Sequence, residues 1–166
     1  MMTQPYVAVL GIPLDENSSF MRGPAQAPPR IRQVLHNGAA NLTTERGIDL
    51  DANDNWYHVG DLDLDQGEQA FTQITDSVAD LLGQDQKVLT LGGDHSITYP
   101  IMRAYAEKYP NLTIVQLDAH PDLYDELDGN RRSHACPFAR IMENGLAQRL
   151  IQIGIRTMNA HQQEQA

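Results

Sequence analysis

The chain has 166 residues, 41% of them hydrophobic, a formal net charge of −10 and a single cysteine. That length supports one ordinary core and is short for two domains. The acidic balance disfavours phosphate backbones and anionic membrane surfaces while steering small cations inward, and the lone Cys136 excludes an intramolecular disulfide framework.

Tyr6 to Ile12 is short, β-rich and nearly all apolar, and it runs into Pro13 and a polar turn cluster, so it reads as a buried strand. A loop through Gly23-Pro24 to Pro28-Pro29 follows, long enough to invite a functional role. Arg30 to His36 reads as a short helix closed by Asn37-Gly38, and Trp56 to Gly60 as a second strand. Gly67 to Leu82 places Phe71, Ile74, Val78, Leu81 and Leu82 on one helical stripe. Lys87 to Leu91 is a third strand, Ser96 to Tyr109 a helix, Leu112 to Leu117 a fourth strand, Cys136 to Asn144 a helix and Leu150 to Ile155 a fifth strand.

This alternation predicts an α/β fold with a parallel sheet, helices on both faces, and ligands beyond the carboxyl ends of the strands. Residues 1–156 read as a single domain and 157–166 as a polar tail, with Asn159 to Ala166 expected to be disordered. Met1 to Asp15 lacks the basic stretch and apolar core of a secretory signal, and no apolar run reaches the ~18–20 residues of a membrane-spanning helix. A cytoplasmic protein without nucleic-acid or membrane partners is expected.

Two polar motifs fall at strand ends: Gly92-Gly93-Asp94-His95-Ser96 after the third strand and Asp118-Ala119-His120-Pro121-Asp122 after the fourth. Residues two apart on extended backbone point the same way, so Asp118, His120 and Asp122 can aim at one point. Either motif alone could be turn chemistry, with Asp94 or Ser96 capping the next helix and the aspartates solvated. Both on neighbouring strand ends make a divalent-metal site the stronger reading. Carboxylate and imidazole donors without thiolate fit Mn²⁺ best, with Zn²⁺, Co²⁺ or Fe²⁺ as alternatives.

These motifs occur in series with Gly11-Ile-Pro-Leu-Asp15, Ser18-Ser19, Gly23-Pro24, Ala27-Pro28, Ile31-Arg32, Ser133-His134 and Ile153-Gly-Ile-Arg156. In that order they resemble the ureohydrolases: arginase, agmatinase, guanidinobutyrase, formiminoglutamase and their relatives. The resemblance implies an arginase-like three-layer α/β/α fold and a binuclear Mn²⁺ centre. His95, Asp118 and Asp122 would hold one ion and His120 a second, with Asp118 bridging and His134 serving as proton shuttle or substrate contact. Ser133-His-Ala-Cys-Pro-Phe138 looks more like the agmatinase branch. The implied activity is then hydrolysis of a small cationic guanidino substrate, agmatine, to urea and putrescine by a metal-bridged hydroxide, in polyamine biosynthesis.

The family completes its cluster with a later Ser-x-Asp-x-Asp-x-x-Asp-Pro segment and a glutamate, and neither occurs before Ala166. The resemblance therefore covers about the first half of a family chain, and the C-terminal part of the fold is expected to be absent, leaving an open apolar edge and a homo-oligomer. The alternative to catalysis is a truncated remnant that binds metal weakly, and a third reading is a mononuclear hydrolase. Asp94 reads as a cap or orienting group, Asp61-Leu-Asp-Leu-Asp65 as a solvated acidic loop, His36, His58 and His161 as structural or solvated, and Cys136 as a packed thiol.

Overall fold

The structure, a computed structural model, describes residues 6–166, so the first residues of the Met1 to Asp15 stretch lie outside the described part. Five strands and five helices alternate: β1 Val7–Ile12, α1 Ala27–His36, β2 Trp56–Asp61, α2 Glu68–Gly83, β3 Lys87–Gly92, α3 Thr98–Lys108, β4 Thr113–Leu117, α4 Pro137–Glu143, β5 Arg149–Ile153 and α5 Ala160–Gln165. Every strand pairing is parallel. Hydrogen bonding joins the strands in two groups, in the orders β2-β1-β3 and β4-β5.

β1 is the central strand of its group and is buried along nearly its whole length. Its even-numbered residues Ala8, Leu10 and Ile12 pack with Phe71, Ile74, Val78 and Leu82 of α2 and with Ala104 of α3. That is the stripe expected from helical spacing. The odd-numbered Val7 and Val9, with Leu89 and Leu91 of β3, face Leu35 of α1 and Leu42, Ile48 and Leu50 of the long connection to β2. This group therefore carries helices on both faces.

The second group is covered on one face only. Ile114 of β4 and Leu150 of β5 pack with Phe138 and Ile141 of α4 and with Met102 of α3. Their alternates, Val115, Leu117, Ile151 and Ile153, remain exposed. The expected helix layer is missing there, because no segment among the described residues crosses that face. No described helix is long and apolar enough to cross a membrane.

The tail departs from expectation. Instead of disorder, Asn159 caps α5: its side chain accepts from the Gln162 backbone N–H, and the Gln162 side chain accepts from the Asn159 N–H. Asn159 also donates to the Tyr124 hydroxyl at 2.7 Å, His161 stacks on Tyr124, and Gln162 is buried. The Asn-x-x-Gln spacing is a helix-start signal that outweighs polar composition. Replacing Asn159 by alanine should cost about 1 kcal/mol of local stability, seen as faster amide exchange across 160–165 with the rest of the chain unchanged.

Candidate metal centre

The turn after β3 is bonded into the loop after β1. Gly93 N–H donates to the Ile12 carbonyl (3.0 Å) and Asp94 N–H to the Leu14 carbonyl (2.8 Å). Asp94 caps the single 3₁₀ turn His95–Ile97 that leads into α3, accepting from Ser96 N–H at 2.9 Å. Its other oxygen accepts from Asn17 N–H and the Ser18 hydroxyl. Asp94 is thus the expected cap, but what it orients is the β1 loop rather than a ligand ring.

After β4, Asp118 N–H continues the ladder to the Ile153 carbonyl, and the chain then turns out of the sheet. The Asp118 side chain holds that turn by accepting from His120 N–H at 2.8 Å. Asp122 follows with φ of 47°, a left-handed conformation that Asp tolerates better than most residues. Beneath the turn, paired Gln116 and Gln152 are bonded at 2.6 Å and donate to the backbone carbonyls of His120 and Pro121 respectively. Neither glutamine was singled out from sequence. Their signal was a polar residue at the same place in two apolar strands.

These turns bring together three of the four expected ligands. Ligand atoms of His95, Asp118 and Asp122 all lie within 4.8 Å of one another. The His95 Nδ1–H donates to Asp122 Oδ2 at 2.6 Å, and Asp118 Oδ2 lies 3.7 Å from the same nitrogen. Burial favours the neutral His95 ring, but the hydrogen bond and charge of Asp122, then Asp118 and Asp94, outweigh it and hold its pKa above the usual histidine value. Burial likewise opposes the Asp118 charge, yet the His120 N–H, Gln116 and the two nearby histidines hold its pKa below the usual carboxylate value. Phe138 presses edge-on against the His95 ring at 5.5 Å and closes its apolar side.

His120 stands outside that trio on the opposite oxygen of Asp118, with Nδ1 at 3.4 Å from Oδ1 and most of its ring exposed. One carboxylate therefore faces a histidine with each oxygen. The donors, two carboxylates and imidazole nitrogens without thiolate, fit a hard-to-borderline divalent ion.

A cleft of about 770 Å³ opens over these residues and is lined also by His134, Tyr124 and Arg156. His134 Nδ1 lies 3.1 Å from the Asn17 carbonyl, an acceptor only, so Nδ1 carries the proton and Nε2 is left as an acceptor in the neutral ring. The other singled-out groups lie elsewhere. Asp61 pairs with Arg32, Asp65 bonds Gln73, His36 and His58 bond each other across α1 and β2, and His161 sits on Tyr124.

Cys136 is fully buried, and burial pushes its thiol up to about 11. It should resist iodoacetamide at pH 8 in the folded chain and react rapidly once the chain is unfolded in urea. Folded-state labelling at pH 8, followed by mass spectrometry, checks this, and complete modification within minutes would contradict it.

A sequence profile described as the Arginase family matches residues 5–166. The chain is 47% identical to an arginase from Glycine max over 95% of its own length and 48% of that protein. It is 31% identical to an agmatinase from Bacillus cereus over 91% of its length and 52% of that protein. The structure of an arginase from Medicago truncatula superposes with a TM-score of 0.86 at 40% identity, covering 97% of this chain and 53% of that one. The chain spans about half the length of the relatives it matches. With the profile running through both strand-end motifs and the tail, this chain belongs to the Arginase family.

Proposed function

We propose that the chain forms one side of a binuclear Mn²⁺ centre that hydrolyses the C–N bond of a small cationic guanidino compound to urea and an amine. The observation that carries this reading is Asp118, whose two oxygens face His95 and His120 from opposite sides. His95, Asp118 and Asp122 would hold one ion and His120 would begin the shell of a second. Bound there, the ions supply the acidification of water that attack on a charge-delocalised guanidinium carbon requires at neutral pH.

The chain's own residues supply the rest. Asp122 holds the His95 ring in place, and the Gln116–Gln152 pair fixes the backbone of His120 and Pro121. His134, with Nε2 available beside the cleft, is the group proposed to carry a proton towards the leaving amine. The far end of the substrate is the open question of specificity. The Ser133 to Phe138 segment leans towards agmatine. One observation favours arginine: the higher identity to an arginase than to an agmatinase. Arginine is therefore the first substrate to try.

One observation favours a metal-binding half-site without catalysis. The only cluster of potential ligands found among the described residues has three members, and it includes no further carboxylate. The deciding experiment measures urea released by the Mn²⁺-loaded chain from arginine, agmatine and guanidinobutyrate, with His120→Ala as control. Urea lost in the control supports catalysis and identifies the substrate. Mn²⁺ binding with no urea from any of the three supports the half-site.

A further inference from the structure

Two polar contacts clasp α1 to the edge strand β2. Arg32 and His36 lie one helical turn apart on α1 and so share a face. Arg32 reaches Asp61 at the end of β2 and forms a charge-compensated ion pair. His36 reaches His58, and their Nε2 atoms stand 2.8 Å apart with the rings crossed at 77°. His58 is in register with Val9 of β1, whose side chain faces α1, so the meeting follows from the fold. Two imidazoles hold that distance with a proton between them, one Nε2–H donating to the other Nε2. The Nδ1 of His58 is buried without a hydrogen-bond partner, so this one bond holds the ring. A buried ring nitrogen left in that state calls for an explanation, such as an ion or a functional role.

We propose that His36 and His58 form a second divalent-metal site, in which Cu²⁺, Zn²⁺ or Ni²⁺ takes the place of the shared proton and clasps α1 to β2. Ring nitrogens bind such ions at about 2.0–2.1 Å, which in tetrahedral geometry sets two of them about 3.3 Å apart. The rings therefore part by roughly half an ångström, a movement open to His36, which is exposed in the last turn of α1. The displaced proton returns through solvent to the Nδ1 of the ring that donated it, so both Nε2 lone pairs face the ion and both rings stay neutral. Water completes the shell.

Several features favour a cation at this place. The negative end of the α1 dipole lies beside His36. The Arg32 charge is offset by Asp61, and the chain as a whole carries −10. Burial, then the neighbouring His36 and Arg32, hold the His58 pKa below the usual histidine value, which keeps the ring in the neutral form that ligates metal. Paired imidazoles without a carboxylate select late first-row ions over Mn²⁺, the reverse of the strand-end cluster. The site stands whether or not that cluster is catalytic.

Trp56, the only tryptophan, supplies the test. Its ring lies 6.4 Å from His36 with the planes 3° apart and 5.1 Å from His58 edge-on, and its Nε1–H donates to the Leu50 carbonyl. Paramagnetic Cu²⁺ bound between the histidines should quench Trp56 emission, and Zn²⁺ added first should block the quenching, whereas excess Mn²⁺ should not. Asp122→Asn, which disables the strand-end cluster, should quench as the wild type does. His36→Gln and His58→Gln should each raise the Cu²⁺ concentration for half-quenching by at least about tenfold. Electron paramagnetic resonance of the Cu²⁺-loaded wild type should show splitting by two nitrogens that neither variant retains. His36→Gln is the decisive variant, because its amide oxygen still accepts from the His58 ring at an exposed position, and its thermal midpoint without metal should match the wild type.

No quenching with Cu²⁺ in large excess over the chain would overturn the proposal. So would quenching unchanged in both glutamine variants, or weakened in only one of them, which would mean weak binding to a single histidine. Quenching lost in Asp122→Asn would place the ion at the strand-end cluster and leave the three rings as packing.

Discussion

Gly93→Ala should destabilise the chain by about 3 kcal/mol or more, beyond the usual range for adding one methyl to a packed interior. A Cβ built at Gly93 would lie 1.9 Å from the Leu14 carbonyl oxygen and 2.7 Å from its carbon. Both atoms are backbone, so no rotamer change relieves the overlap. Nor can the strands separate freely, because Gly93 N–H is bonded to Ile12 and Asp94 N–H to the same Leu14 carbonyl. Relief would require breaking at least one of those bonds, and with it the loop that Asp94 ties through Asn17 and Ser18. The turn that carries His95 should shift as well, so Mn²⁺ binding should weaken in the fraction that still folds. Gly83→Ala is the matched control. It ends α2, has a negative φ and no atom within 4 Å of the added carbon, and should be neutral or stabilise by about 0.5–1 kcal/mol. Urea denaturation of both variants decides the matter, and a Gly93→Ala loss below that of an ordinary surface substitution would refute the close-approach argument.

The Gly-Gly doublet was visible in the sequence, but the reason for its second glycine was not, because Leu14 lies far away in the chain. The same distinction runs through the molecule. Apolar runs, helical stripes and flanking Pro and Gly signals place all five strands and the first four helices within a few residues. The partition of the strands into two groups had no local signal, because which strands pair is decided by long-range contacts. At the site, side chains that touch the predicted ligands through their own spacing were readable: Asp118, His120 and Asp122 sit on one short turn. Groups that support it from other elements were not. Phe138 against His95 and Asn17 beneath His134 have no sequence signature, as each contact joins residues more than forty positions apart. The tail is helical for a different reason: polar composition carries no helix signal, whereas the Asn159-x-x-Gln162 spacing supplies a capping box.

Asp122→Asn should abolish most divalent-metal binding while leaving the fold in place. Asparagine keeps the size of the side chain and, like aspartate, accepts a positive φ, so the backbone at 47° is undisturbed. What disappears is a charge beside His95 Nδ1, in a side chain that is only 7% exposed as a whole residue. Groups that merely orient a ligand typically cost 10–100-fold in metal affinity when removed. A carboxylate that would itself bind the ion should cost at least about a hundredfold. Asp122→Ala should lose the same affinity and in addition about 1–2 kcal/mol of stability, because alanine has no local hydrogen bond to offset the left-handed strain. On the proposed binuclear reading, His120→Ala should spare the tighter site and remove only the weaker one, since His120 faces the other oxygen of Asp118. Mn²⁺ titration followed by electron paramagnetic resonance of the free ion measures all three. Equal loss in His120→Ala and Asp122→Asn would mean one ion shared by all four residues, and wild-type affinity in Asp122→Asn would place the metal elsewhere.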